Sequence, residues 1–165
     1  MTRTSFIGLA IVALGLGCTP LSRATSGDKN EFSKEVRQAL QDAETMELIS
    51  LQPERDASAD GFHDWKVLGR TKIDGSRERS RIASSVLKGI SESDGSVAAC
   101  FNPRHGIRVV VKEQTIDLVL CFQCSQIKVY RGVGDAKESV LTAKTAEVKL
   151  DAILKDAGVP LAKKE

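Results

Sequence analysis

Between Cys100 and Tyr130 the chain carries two β-branched apolar runs, residues 106–111 (GIRVVV) and 116–122 (IDLVLCF), parted only by Lys112-Glu113-Gln114-Thr115. Two such runs joined by a few polar residues satisfy their backbone groups most simply by folding back on each other, so an antiparallel hairpin is expected here. Residues 125–130 extend it as a further strand. A turn centred on Glu113-Gln114 sets His105 opposite Phe122 and beside Cys121, and Cys124 opposite Pro103, with Cys100 near Ile127. Opposed residues in antiparallel strands sit roughly 4.5–5.5 Å apart. The hairpin is therefore expected to gather Cys100, His105, Cys121 and Cys124.

The rest of the chain supplies what covers this sheet. Phe32, Val36, Ala39, Leu40 and Ala43 recur at helical spacing, which predicts a helix over 29–44, with Asp28 and Glu31 as a capping box. Residues 47–51 (ELISL) read as a strand that Pro53 ends. Residues 65–73 (WKVLGRTKI) alternate, with Trp65, Val67, Thr71 and Ile73 on one face and Trp65 as a core anchor. Asp74-Gly75 turns the chain into a second helix over 76–90, whose stripe is Ile82, Ala83, Val86, Leu87 and Ile90. Its arginines Arg77, Arg79 and Arg81, with Lys88, form a solvated basic face. A third helix over 145–157 ends at Gly158 and Pro160. The expected fold is α+β: a mainly antiparallel sheet of about five strands with three helices, in the order helix, strand, strand, helix, three strands, helix.

The amino terminus differs in kind. Arg3 precedes an apolar run over 6–17 that is shorter than the roughly 20 residues a spanning helix needs, so residues 1–17 read as a signal peptide. Leu14-Gly15-Leu16-Gly17-Cys18 resembles a bacterial lipobox, which implies lipidation at Cys18 and a membrane anchor in the cell envelope. The lipobox position three before the cysteine is Gly15, where a large aliphatic residue is usual. Residues 18–30 are polar and read as a flexible tether, 31–161 as one α+β domain, and 162–165 as a tail. With 24 Lys+Arg against 22 Asp+Glu, the charge balance offers no footprint for nucleic acid.

Four readings of the cysteines follow. The spacing C-x4-H followed by C-x2-C suits a tetrahedral metal, zinc in the first place, held by Cys100, His105, Cys121 and Cys124. An exported protein also favours disulfides, Cys121–Cys124 or Cys100–Cys124. Cys121-Phe122-Gln123-Cys124 as a redox pair lacks the helix start that activates such thiols. Buried inert thiols are the fourth. His63 reads as a surface side chain, and Arg104 as a structural pairing residue.

Cys100-Phe101-Asn102-Pro103-Arg104-His105-Gly106, followed by Cys121-Phe122-Gln123-Cys124, resembles a family of small bacterial proteins of unknown function, often secreted or lipid-anchored. The strands at 47–51 and 65–69 share that resemblance. It implies a common fold with a cysteine–histidine core and brings no activity. No Ser-His-Asp motif, phosphate-cradling glycine loop or H-E-x-x-H is present. The expected function is an envelope-anchored, non-enzymatic domain whose Cys/His cluster binds a structural metal. The alternatives are a thiol- or metal-dependent redox protein and a disulfide-stabilised binding module.

Overall fold

The computed structural model describes residues 30–55 and 61–163. The signal peptide, nearly all of the tether, Cys18 and Asp28 lie outside the described residues. The elements are α1 (Lys34–Gln41), β1 (Thr45–Arg55), β2 (Trp65–Lys72), α2 (Ser76–Ser91), β3 (His105–Val111), β4 (Gln114–Cys121), β5 (Gln126–Tyr130), β6 (Glu138–Leu141), a 3₁₀ turn (Lys144–Ala146) and α3 (Glu147–Asp156). The fold is α+β, and its strands form a single antiparallel sheet in the order β2-β1-β3-β4-β5-β6.

The sheet has six strands where about five were expected. β6 is too short to show a period, and it pairs β5 through Ile127↔Val140. Asn30, assigned to the tether, closes the outer edge of β6: Leu141 N–H donates to its Oδ1 at 2.6 Å and its Nδ2 donates to Leu141 O at 3.0 Å. The first helix is shorter than expected and takes Ser33 as its N-cap, accepting from Val36 N–H at 3.4 Å. β1 runs through Pro53 instead of stopping there. It has already parted from β3 after Leu51, whose N–H donates to Arg104 O at 3.0 Å, so no ladder bond to β3 is lost at Pro53.

One irregularity decides which face several side chains take. In the β1–β2 ladder Ser50 faces Gly69 but Leu51 faces Val67, so Leu68 is an extra residue. Such a bulge reverses the alternation beyond it. Trp65 and Val67 therefore lie on the opposite face from Ile73, not on the same one. Ile73 joins the main core, where α1, α2 and α3 pack Leu40, Val86 and Leu154 onto Leu48, Ile107 and Leu118. Trp65 anchors a smaller cluster on the other face with Ile49, Leu51, Phe62, Val119 and Tyr130. The helices cover the first face and leave part of the second open.

The hairpin forms, with a tighter turn than expected. Lys112 (φ 46°) and Glu113 (φ 67°) are the two turn residues, a left-handed pair that suits a two-residue hairpin. His105 then faces Leu120, not Phe122. The shift is by two residues, so every side chain keeps its face. At the other end, α3 closes as expected: Gly158 (φ 70°) donates to Lys155 O and Val159 to Leu154 O, each at 2.9 Å, the paired bonds of a Schellman cap.

α2 is amphipathic as read, but Arg79 is not merely solvated. It donates to Ala43 O, Ile73 O and Asp74 O at 2.7–3.0 Å, joining the end of α1 to the end of β2. On the inner side, Gly89 lets the helix approach the segment after β6. A Cβ there would meet Thr142 Oγ1 at 2.7 Å and Ala143 O at 3.2 Å. Alanine for glycine inside a helix normally gains up to about 1 kcal/mol. Here Gly89→Ala is expected to lose about 1–3 kcal/mol through overpacking, read as a lowered urea midpoint; a raised midpoint would refute the close approach.

Candidate functional site

Three of the four expected metal ligands come together. Cys121 and Cys124 form a disulfide across the β4–β5 turn, and both are wholly buried. Cys100, exposed in the segment between α2 and β3, brings its Sγ to 3.8 Å from Cys124 Sγ. Two amides point at these sulfurs: Asn102 N–H donates to Cys124 Sγ at 3.3 Å and Cys124 N–H to Cys121 Sγ at 3.1 Å.

His105 is not among them. Strand alternation puts it on the helix-covered face with Leu118 and Leu120, while Cys121 follows Val119 onto the other face. Its Nε2 lies 2.9 Å from Asp151 Oδ1 of α3, and its ring meets Phe122 edge-on at 5.4 Å. The four-ligand Cys/His set is therefore not assembled, and among the described residues no group of three His, Cys, Asp or Glu is placed to hold a metal ion. Ser50 faces His105 across the β1–β3 ladder, which lines up a serine, a histidine and a carboxylate. Ser50 Oγ is fully buried and, like His105 Nδ1, makes no hydrogen bond.

The open face carries a different constellation. Arg108 of β3, Asp117 of β4 and Tyr130 of β5 are direct cross-strand partners, one rung across three strands. Arg108 donates from Nε to Asp117 Oδ1 at 2.8 Å and from Nη2 to Oδ2 at 2.7 Å, a bidentate pair. His63 comes from a two-residue turn in which Phe62 and Trp65 bond each other, and His63 (φ 53°) and Asp64 (φ 73°) are both left-handed. As at Lys112-Glu113, such a left-handed pair suits a two-residue turn. The turn lays His63 over the rung. Its ring stacks on Tyr130 at 3.8 Å and its Nε2 is 2.8 Å from Asp117 Oδ2.

The Asp117 side chain is only 5% exposed. Burial pushes its carboxyl up, but the hydrogen bonds from Arg108 and His63, with their charges, outweigh that and leave it below the ordinary carboxylate value. The same bidentate bond raises Arg108 against the opposing effect of burial. Burial raises the Tyr130 phenol. An ionised carboxylate only accepts, so the His63 Nε2–H is the donor of their 2.8 Å contact. Arg108 leaves Nη1 unused by this pair. Over the rung lies a groove of about 750 Å³, bordered by Arg55, Lys128 and the Gly132–Gly134 loop.

His63 was expected on the surface and is 12% exposed. Arg108, Asp117 and Tyr130 did not figure in the sequence reading. The available signal was Asp117 itself, a carboxylate inside the apolar run Ile116-Asp117-Leu118-Val119-Leu120. A charge there needs a partner. Arg104, as read, is engaged structurally, donating to Gln123 Oε1 at 2.9 Å.

Comparison of the chain with family models, with curated proteins and with solved structures finds no match.

Proposed function

We propose that the chain is an exported, lipid-anchored binding module that takes up a small anionic ligand, a carboxylate or phosphate, in the groove over Arg108, Asp117 and His63. One observation carries this reading: a buried carboxylate orients two donors on a sheet face that no helix of the described residues covers. Buried charge networks are poor stabilisers compared with apolar packing, whereas clustered, perturbed ionisable groups in a cleft are a common mark of function. The groups that Asp117 holds are donors. Lys128, whose Nζ stands 4.1 Å above the Phe101 ring, adds a cation at the rim. Arg55 adds a second, engaged with Asp64 at 3.2 Å in solvent, where such a pair is worth little.

The Cys121–Cys124 disulfide supports the export reading, since disulfides persist in oxidising compartments. The lipobox-like stretch supports an anchor at Cys18, and Cys18→Ser is expected to move the protein from the membrane fraction to the soluble one.

The ligand reading is tested by thermal shift and calorimetry with small carboxylates and phosphates on the wild type and on His63→Gln/Lys128→Gln. At least one anion is expected to raise the melting temperature, with affinity reduced about tenfold in the double variant, equivalent to about 1.4 kcal/mol. Equal binding by both proteins, or no anion that binds the wild type, would sink it.

A further inference from the structure

We infer that Cys100, Cys124 and Cys121 form a thiol–disulfide relay, in which the exposed thiol is the only route by which an external thiol reaches a buried disulfide. Three observations converge. The disulfide sulfurs are wholly buried while Cys100 is exposed. Cys100 Sγ is in contact range of one disulfide sulfur, at 3.8 Å from Cys124. Both sulfurs of the bridge receive a backbone N–H.

The step is an ordinary exchange. The Cys100 thiolate attacks Cys124 Sγ, the Cys124–Cys121 bond breaks, and the electron pair leaves on Cys121. Thiolate leaving groups depart faster when their negative charge is stabilised, and the Cys124 N–H at 3.1 Å does that for Cys121. The Asn102 N–H sits at the sulfur under attack. The product holds a Cys100–Cys124 bridge and a buried Cys121 thiol. A low-molecular-weight thiol, the co-reactant, then attacks the Cys100 sulfur and releases Cys124. A second molecule resolves the mixed disulfide. In sum, two external thiols become one external disulfide while the protein gains two electrons and two protons.

A bridge between residues three apart restrains the unfolded chain less than one that closes a long loop. Bracing alone is thus a weak reason for it. The exchange would also act on the neighbouring segment. Phe101, next to Cys100, packs on Trp65 at 5.5 Å and lies under Lys128 at the groove rim.

The test uses the full chain and glutathione as probe. Loss of the Cys121–Cys124 disulfide is followed by acid quenching, alkylation and peptide mass spectrometry. Cys100→Ser, at an exposed position, is expected to slow reduction at least about tenfold. Reduction at the wild-type rate would overturn the relay. In Cys121→Ser treated with oxidised glutathione, which is reduced to two thiols as the bridge forms, trypsin is expected to yield residues 89–104 linked to 113–128, since the attacking and attacked sulfurs remain. If that variant does not fold, as judged by circular dichroism, the Cys100→Ser rate decides alone. Stoichiometric zinc in the wild type with all three thiols reduced would also overturn it.

Discussion

Asp117→Ala is expected to destabilise the fold by about 3–5 kcal/mol, the usual result of stripping one partner from a buried charge network. Arg108 loses its bidentate acceptor and His63 loses the carboxylate that orients it. The measurement is urea unfolding at neutral pH. A change within about 0.5 kcal/mol, the range of ordinary surface substitutions, would show that the rung is solvated and unimportant.

The same residue carries a pH signature with a fixed sign. Its carboxyl titrates lower in the folded chain than its ordinary value of 3.8. A depressed folded pKa contributes stability that is fully present above the unfolded value and is lost as pH falls through the folded one. The isosteric Asp117→Asn lacks that contribution. The gap in stability between wild type and Asp117→Asn is therefore expected to be constant from pH 7 to about 5 and to shrink below about pH 4. A gap that does not change between pH 6 and pH 3 would contradict the arrangement.

Trp65→Ala is expected to destabilise by about 3–5 kcal/mol, because it empties the centre of the smaller apolar cluster. Trp65 is 2% exposed, and among the described residues no helix packs on Phe62, Val119 and Leu51 to close over the gap. Trp65→Phe should be far milder, near the roughly 1.5 kcal/mol ceiling of well-tolerated core swaps. The indole Nε1 is buried without a hydrogen bond, so its removal offsets part of the lost apolar area. Equal losses for the two variants would mean that the indole nitrogen has a partner after all. The alanine variant also disturbs the groove, since Phe62 begins the turn that carries His63 and packs against the same cluster.

Much of the fold was readable in the chain because its causes are local. The stripe Ile82-Ala83-Val86-Ile90 makes α2 a helix with one apolar face wherever it packs, and all four are buried. The two runs about Lys112-Glu113 make a hairpin because nothing else satisfies their backbones so near in sequence. Gly158 ends α3 because left-handed backbone there is free of strain only for glycine. Each of these is decided within a dozen residues.

What the chain determined by itself, then, was three helices and five of the six strands, a mainly antiparallel sheet and the α+β class. Face and partner were left to the tertiary structure. A single extra residue, Leu68, sends Trp65 to the opposite side from Ile73. Alternation parts His105 from Cys121 although the two lie close in the ladder. A two-residue turn without glycine carries His63 onto Asp117, 54 positions away in sequence. Periodicity records that a side chain alternates. Which side it takes depends on bulges and turns set by long-range packing, and the candidate site is made of those long-range choices.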